Sequence, residues 1–132
     1  MLKSKNVVLC FLLYKDKVLL TKRGLEDKYP KKWTGITGYI EENDSPYKTA
    51  LKEIEEETKI KEKNLELLKK GKVVFVPDES IGIEWKVHPY LFKSKTKDVK
   101  LDEENDEYKW IDPTEIGEFD TVPMLKEIYE MF

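Results

Sequence analysis

Three glutamates, Glu53, Glu56 and Glu57, recur at i, i+3 and i+4 in the run Lys52-Glu53-Ile54-Glu55-Glu56-Glu57. On a helix that spacing projects all three carboxylates from one side. Like charges so placed cost a helix roughly 0.2–0.5 kcal/mol per pair. A divalent cation turns that cost into a binding site, because Mg²⁺ takes oxygen ligands and commonly combines one or two carboxylates with phosphate oxygens. The bland alternative is a solvated acidic face, which would carry interleaved lysines. Residues 41–57 hold seven acids against two lysines, and only Lys52 is spaced to pair well, with Glu56 at i+4. That imbalance favours the metal.

The elements around these acids can position them. A helix is expected over 45–58, with Ser45 as its cap and Pro46 at the first helical position. Tyr47, Ala50, Leu51, Ile54 and Thr58 recur at helical spacing and define its buried face. The glutamates lie roughly a third of a turn from that face, so they border the core and do not point into bulk water. Gly38 heads the stretch and marks a turn feeding the helix.

From Gly38 to Ile60 the stretch GYIEENDSPYKTALKEIEEETKI resembles the signature of the Nudix hydrolases. That signature is a glycine, five residues, a glutamate, seven residues, then Arg-Glu-apolar-x-Glu-Glu-x-Gly-apolar. Gly38, Glu53, Ile54, Glu56, Glu57 and Ile60 occupy their expected places, whereas Asp44 replaces Glu, Lys52 replaces Arg and Lys59 replaces Gly. Asp44 keeps its charge and is also suited to capping a helix. Lys52 keeps its charge but lacks the planar fork that Arg offers a carboxylate. Lys59 in a left-handed helix exit would cost on the order of 1 kcal/mol, unless the exit is altered.

The resemblance implies Mg²⁺ or Mn²⁺ held by Glu53, Glu56 and Glu57 with the main-chain carbonyl near Gly38, and hydrolysis of a nucleoside diphosphate linked to X. Nucleoside triphosphates, ADP-ribose and nucleotide sugars are the leading substrate classes. The three departures keep a weak or inactive nucleotide- or protein-binding module of the same fold as the alternative. An isoprenoid-diphosphate isomerase shares that fold, but its catalytic cysteine has no counterpart here. The acidic run Asp102–Glu107 ahead of Trp110 resembles the family loop that supplies an extra ligand or general base, with Glu107 the first choice and Glu104 the second. Arg23 ends a strand where relatives carry a phosphate-contacting cation, and it is the single arginine among 24 basic residues. Trp110 could stack on a base or pack in the core. Tyr39 lines the same turn as Gly38. Trp33, ahead of the opening glycine, reads as a packing anchor. His88 has no second histidine or ligand cysteine near it in sequence, so it reads as structural or pocket-lining.

At 132 residues the chain has the length of one domain, spanning 1–132. A net charge of −3 argues against duplex nucleic acid and leaves room for a small anion held through metal. The lone Cys10 forms no internal disulfide and fits a reducing, cytoplasmic setting, where it reads as a small buried apolar residue. The run Val7–Leu13 is too short to span a bilayer and has no following cleavage site, so no signal peptide or membrane anchor is expected. The family resemblance leaves a homodimer open.

Strands are expected over 6–14 and 17–22 as a hairpin, then 65–68, 73–76, 83–93, 99–102 and 108–111, with turns at 77–80 and after Asp112. Residues 24–35 read as loop and 122–132 as a terminal helix. This order gives an α/β or α+β class. The resemblance adds an α/β/α sandwich around a mixed sheet.

Overall fold

A computed structural model describes residues 1–25 and 28–132; positions 26 and 27, within the expected 24–35 loop, lie outside the described residues. The element order is β1 (Lys3–Tyr14), β2 (Lys17–Arg23), β3 (Trp33–Thr34), β4 (Ile36–Tyr39), α1 (Pro46–Thr58), β5 (Leu65–Lys70), β6 (Val74–Asp78), β7 (Ile83–Ser94), β8 (Asn105–Ile111) and α2 (Leu125–Glu130). Short 3₁₀ turns occupy Glu62–Asn64 and Pro113–Glu118.

The strands form one mixed sheet. Its central pair is β1 beside β7, parallel from Lys3↔Ile83 to Leu13↔Lys93. β1 also pairs antiparallel with β2 at its end and with β4 at Val7↔Tyr39 through Cys10↔Ile36. β8 extends the sheet beyond β2, and β5 and β6 both pair with β7.

The near-continuous apolar run of β1 is explained by burial on both faces. Val8, Cys10 and Leu12 point into one core with Ala50, Ile54, Ile60, Tyr90 and Phe92, beneath α1. Leu9 and Phe11 point into the other, with Val87, Leu91, Ile116, Leu125 and Ile128, beneath the 3₁₀ turn and α2. The strand period of two thus builds a sheet sandwiched between helical layers.

Ser45 caps α1, its side chain accepting from the Lys48 amide at 3.1 Å; Asp44 does not take that role. Several expected elements differ in extent. The stretch 99–102 forms no strand, and β8 instead starts at Asn105, so it includes Glu107. β6 runs through Pro77 and Asp78, and the turn follows it. The terminal helix is confined to Leu125–Glu130, because Met124 at φ 68 is not helical. No described helix is long and apolar enough to cross a membrane.

Candidate active site

α1 packs against β1 and β4 and delivers the acids in graded burial. Ala50, Ile54, Glu57 and Thr58 share its buried face, and Glu57 is only 4% exposed. Tyr47, expected on that face, is 38% exposed. Glu53 is half-buried and Glu56 exposed. The acids stand in the last turns of α1, where the helix dipole already places partial negative charge and where the last turn itself holds no basic residue. No ion pair joins Lys52 to Glu56 among the described residues, which weakens the reading of a self-paired surface stripe.

Gly38 is a packing requirement for this cluster. A Cβ there would overlap Cγ and Cδ of Glu53, so the bare backbone of β4 lets that carboxylate lie directly against it. Glu57 Oε1 accepts from Asn105 Nδ2 at 3.1 Å, and the same amide donates to Asp102 Oδ1 at 3.2 Å. Glu57 Oε2 is buried with no hydrogen-bond partner among the described residues. Burial, then the Glu56 charge, pushes the Glu53 carboxyl up to about 7. Burial lifts Glu57 well above the carboxylate range, against the pull of Asn105. An unpartnered buried carboxylate oxygen costs free energy unless a proton or cation meets it.

These groups fit a divalent ion in donor type: all are hard oxygens. Among the described residues no three acid, histidine or cysteine side chains already form a closed ligand cage. Mg²⁺ does not require one, since it keeps waters and takes substrate phosphates alongside one or two carboxylates.

Glu53, Glu56 and Glu57 line a cavity of about 250 Å³ together with Arg23, Gly38, Tyr39 and Glu104. Arg23, at the end of β2, donates from Nη1 to Thr37 Oγ1 at 3.1 Å. Glu104 sits in the turn before β8, its amide donating to Asp102 Oδ1 at 3.2 Å. Glu107 does not line the cavity. It lies within β8 opposite Lys22, whereas Glu104, the second choice, lines the cavity. Trp110 is also elsewhere: its ring lies 6.0 Å from Tyr14, and its indole donates to the Lys97 carbonyl at 3.1 Å.

Trp33 is a core residue, edge-on to Phe119 at 5.3 Å. His88 lies outside the cavity, with Nε2 3.0 Å from Asn6 Oδ1. Cys10 is fully buried beside the acids; burial, then Glu57, pushes its thiol up and keeps it neutral. The cavity also contains Trp85 and Tyr29, which sequence reading did not single out. Trp85 sits inside a twelve-residue strand, where nothing local separates a pocket aromatic from a core one.

Comparison with known proteins bears on the fold and the family. The structure resembles a C. elegans Ap4A hydrolase at TM-score 0.82 and 19% identity, covering 97% of this chain and 94% of that one. It resembles an E. coli dihydroneopterin triphosphate pyrophosphohydrolase at 0.81 and 18%, covering 96% and 93%. A MutT NUDIX hydrolase from Burkholderia pseudomallei matches at 0.80 and 16%, covering 98% of both chains. At such identities these likenesses speak for the fold. The family model describing the NUDIX domain matches residues 3–132, nearly the whole chain. With the glutamates of α1 gathered against Gly38 at a cavity, the chain belongs to the Nudix hydrolase family.

Proposed function

We propose that the protein is a metal-dependent pyrophosphohydrolase that cleaves a diphosphate bond in a nucleoside diphosphate linked to X. The observation that carries this is the pairing of Glu57, buried with one oxygen unpartnered among the described residues, with Glu53, seated against a glycine and lining the same cavity. Glu53, Glu56 and Glu57, with the Gly38 carbonyl, would hold the metal ions. Divalent ions held there, Mg²⁺ or Mn²⁺, would supply charge neutralisation at the phosphate oxygens and activation of water. Asn105 fixes the orientation of Glu57 through its amide. Glu104 accepts the proton of the attacking water as the new P–O bond forms and the bridging P–O bond breaks. Arg23, oriented by Thr37, donates to the phosphate oxygens. Nucleoside triphosphates, ADP-ribose and nucleotide sugars remain the substrate classes to test.

The departures from the family pattern do not remove this reading. Lys59 adopts φ 64, so it holds the left-handed helix exit that glycine would hold, at a cost in stability and without altering the path. The test is product analysis across a nucleotide panel, with and without Mg²⁺, beside Glu57→Gln. Cleavage that needs metal and falls at least about a hundredfold in the variant supports the enzyme. Undiminished turnover in Glu57→Gln sinks the assignment of these ligands. Metal binding without cleavage of any panel member favours the non-catalytic nucleotide-binding module.

A further inference from the structure

Helix α1 covers only part of its side of the sheet. It packs on β1 and β4, and Tyr47 in its first turn reaches Tyr90 and Phe92 of β7, with ring centroids 6.0 and 6.1 Å away. His88 and Lys86 precede Tyr90 by two and four residues, so they share its face. Register brings three neighbours to that face: Asn6 and Phe75 opposite Lys86, and Lys70 opposite Tyr90. His88 Nε2 lies 3.0 Å from Asn6 Oδ1, and the Lys86 ammonium lies 5.9 Å from the centroid of the Phe75 ring. Phe75 is 55% exposed, and no ion pair neutralises Lys70 or Lys86 among the described residues. Glu84, on the same face, accepts from the Ser4 hydroxyl at 3.3 Å. The residues of β1, β6 and β7 that line the cavity are Val7, Val76, Trp85 and Val87, which alternate with these and point the other way.

We propose that this face binds single-stranded nucleic acid, with Phe75 and His88 as the platform for two adjacent bases and Lys70 and Lys86 as contacts for its phosphates. The site is separate from the diphosphate cavity and does not depend on its chemistry.

Rings on neighbouring strands of an open sheet face can stack unpaired bases, which a duplex keeps out of reach. Phe75 and His88 are diagonal neighbours across β6 and β7, about 7–8 Å apart along the backbone surface. Burial, then the Lys70 and Lys86 charges, holds the imidazole below its usual 6.5, so it meets a base as a neutral ring flanked by two cations. A chain of net charge −3 has no general attraction for nucleic acid, so affinity has to come from local rings and cations. Lysines on an edge strand often serve only to block strand addition, and that reading suffices for Lys70 on β5. It does not explain Lys86 and His88, because β7 is interior, paired with β1 on one side and with β5 and β6 on the other. An acidic peptide would use the ammonium groups and leave the exposed ring idle. A polyanion that carries bases uses both.

The test is fluorescence anisotropy of fluorescein-labelled decauridylate with the full-length protein, in chelator so that no hydrolysis intervenes, across a salt series. Saturable binding is expected, competed by unlabelled decauridylate and far less by polyglutamate. Phe75→Ala should weaken it roughly tenfold, while Phe75→Trp retains it. Replacing Lys70→Gln and Lys86→Gln together should reduce the slope of log affinity against log salt by about 1.4, at about 0.7 per phosphate contact. Amide resonances of ¹⁵N-labelled protein should move at Asn6, Lys70, Phe75, Lys86 and His88 and stay in place at Glu53 and Trp85. None of these variants should change turnover in the nucleotide panel, since none of the altered residues lines the cavity. Absence of binding at low salt, or full affinity in Phe75→Ala, overturns the proposal. Equal competition by polyglutamate also overturns it and makes the face a docking site for an acidic chain. Shifts confined to the cavity would place the oligonucleotide at the diphosphate site and overturn it as well. Binding at this face by a protein that cleaves no panel member would sink the enzyme reading and leave this one standing.

Discussion

At the residue scale, the chain spends stability on carboxylates. Glu57 is buried in the last turn of α1 with one oxygen bonded to Asn105 and the other without a partner among the described residues. A residue kept in that state in a helix otherwise packed by Ala50, Ile54 and Thr58 is understandable if a cation meets it. Glu57→Gln should then leave the metal-free protein at least as stable as the parent, read from urea unfolding in chelator, while the activity is lost. His88 offers a cleaner view of electrostatics away from the acids, because it is the single histidine. Burial, then the Lys70 and Lys86 charges, holds its imidazole below the usual 6.5. The folded state therefore binds the proton less readily than the unfolded chain. Its contribution is fully present above pH 6.5 and is lost as pH falls from there through the folded value. An NMR titration of the imidazole should give a midpoint below 6.5; one at or above 6.5 would contradict this placement.

At the scale of elements, α1 is defined at both ends by local chemistry. Ser45 and Pro46 start it, and Lys59 stops it at φ 64 with its amide bonded to the Glu55 carbonyl at 2.9 Å. The Lys59 ammonium also reaches the Glu56 carbonyl at 3.0 Å, one compensation for a side chain in that conformation. Lys59→Gly should stabilise the protein by about 0.5–1 kcal/mol, seen as a higher urea midpoint with an unchanged slope. A lower midpoint would mean the lysine's contacts outweigh its backbone cost. The start of β8 matters in the same way. Because pairing with β2 begins at Asn105, Glu104 remains in the turn facing the acids and Glu107 is committed to the sheet.

At the scale of the molecule, the sheet holds the parts of the site that lie far apart in sequence. β1 is central, pairing with β2, β4 and β7 and filling both cores. The cavity draws on β2, β4, β7, α1 and the turn before β8, so its lining comes from elements far apart in sequence. An ion that binds only the folded state should add about 2.7 kcal/mol of stability at a hundredfold excess over its Kd. Thermal unfolding with Mg²⁺ or Mn²⁺ against chelator measures this, and most of the gain should vanish in Glu57→Gln. A gain that survives the substitution would place the ion elsewhere.

The sequence by itself determined the local and periodic features. The α1 helix, its cap, its acidic side and the first hairpin follow from spacing within a few residues, and the fixed gaps from Gly38 to Ile60 pointed to the family. Tertiary structure alone decided which distant residues share the cavity. Whether Glu104 or Glu107 faces the acids depends on where β8 begins to pair. Whether Trp85 or Trp110 faces the cavity depends on pleat direction and on which layer covers each side of the sheet. A one-residue change in strand register reverses a side chain's face, and register is set by partners that local sequence does not name.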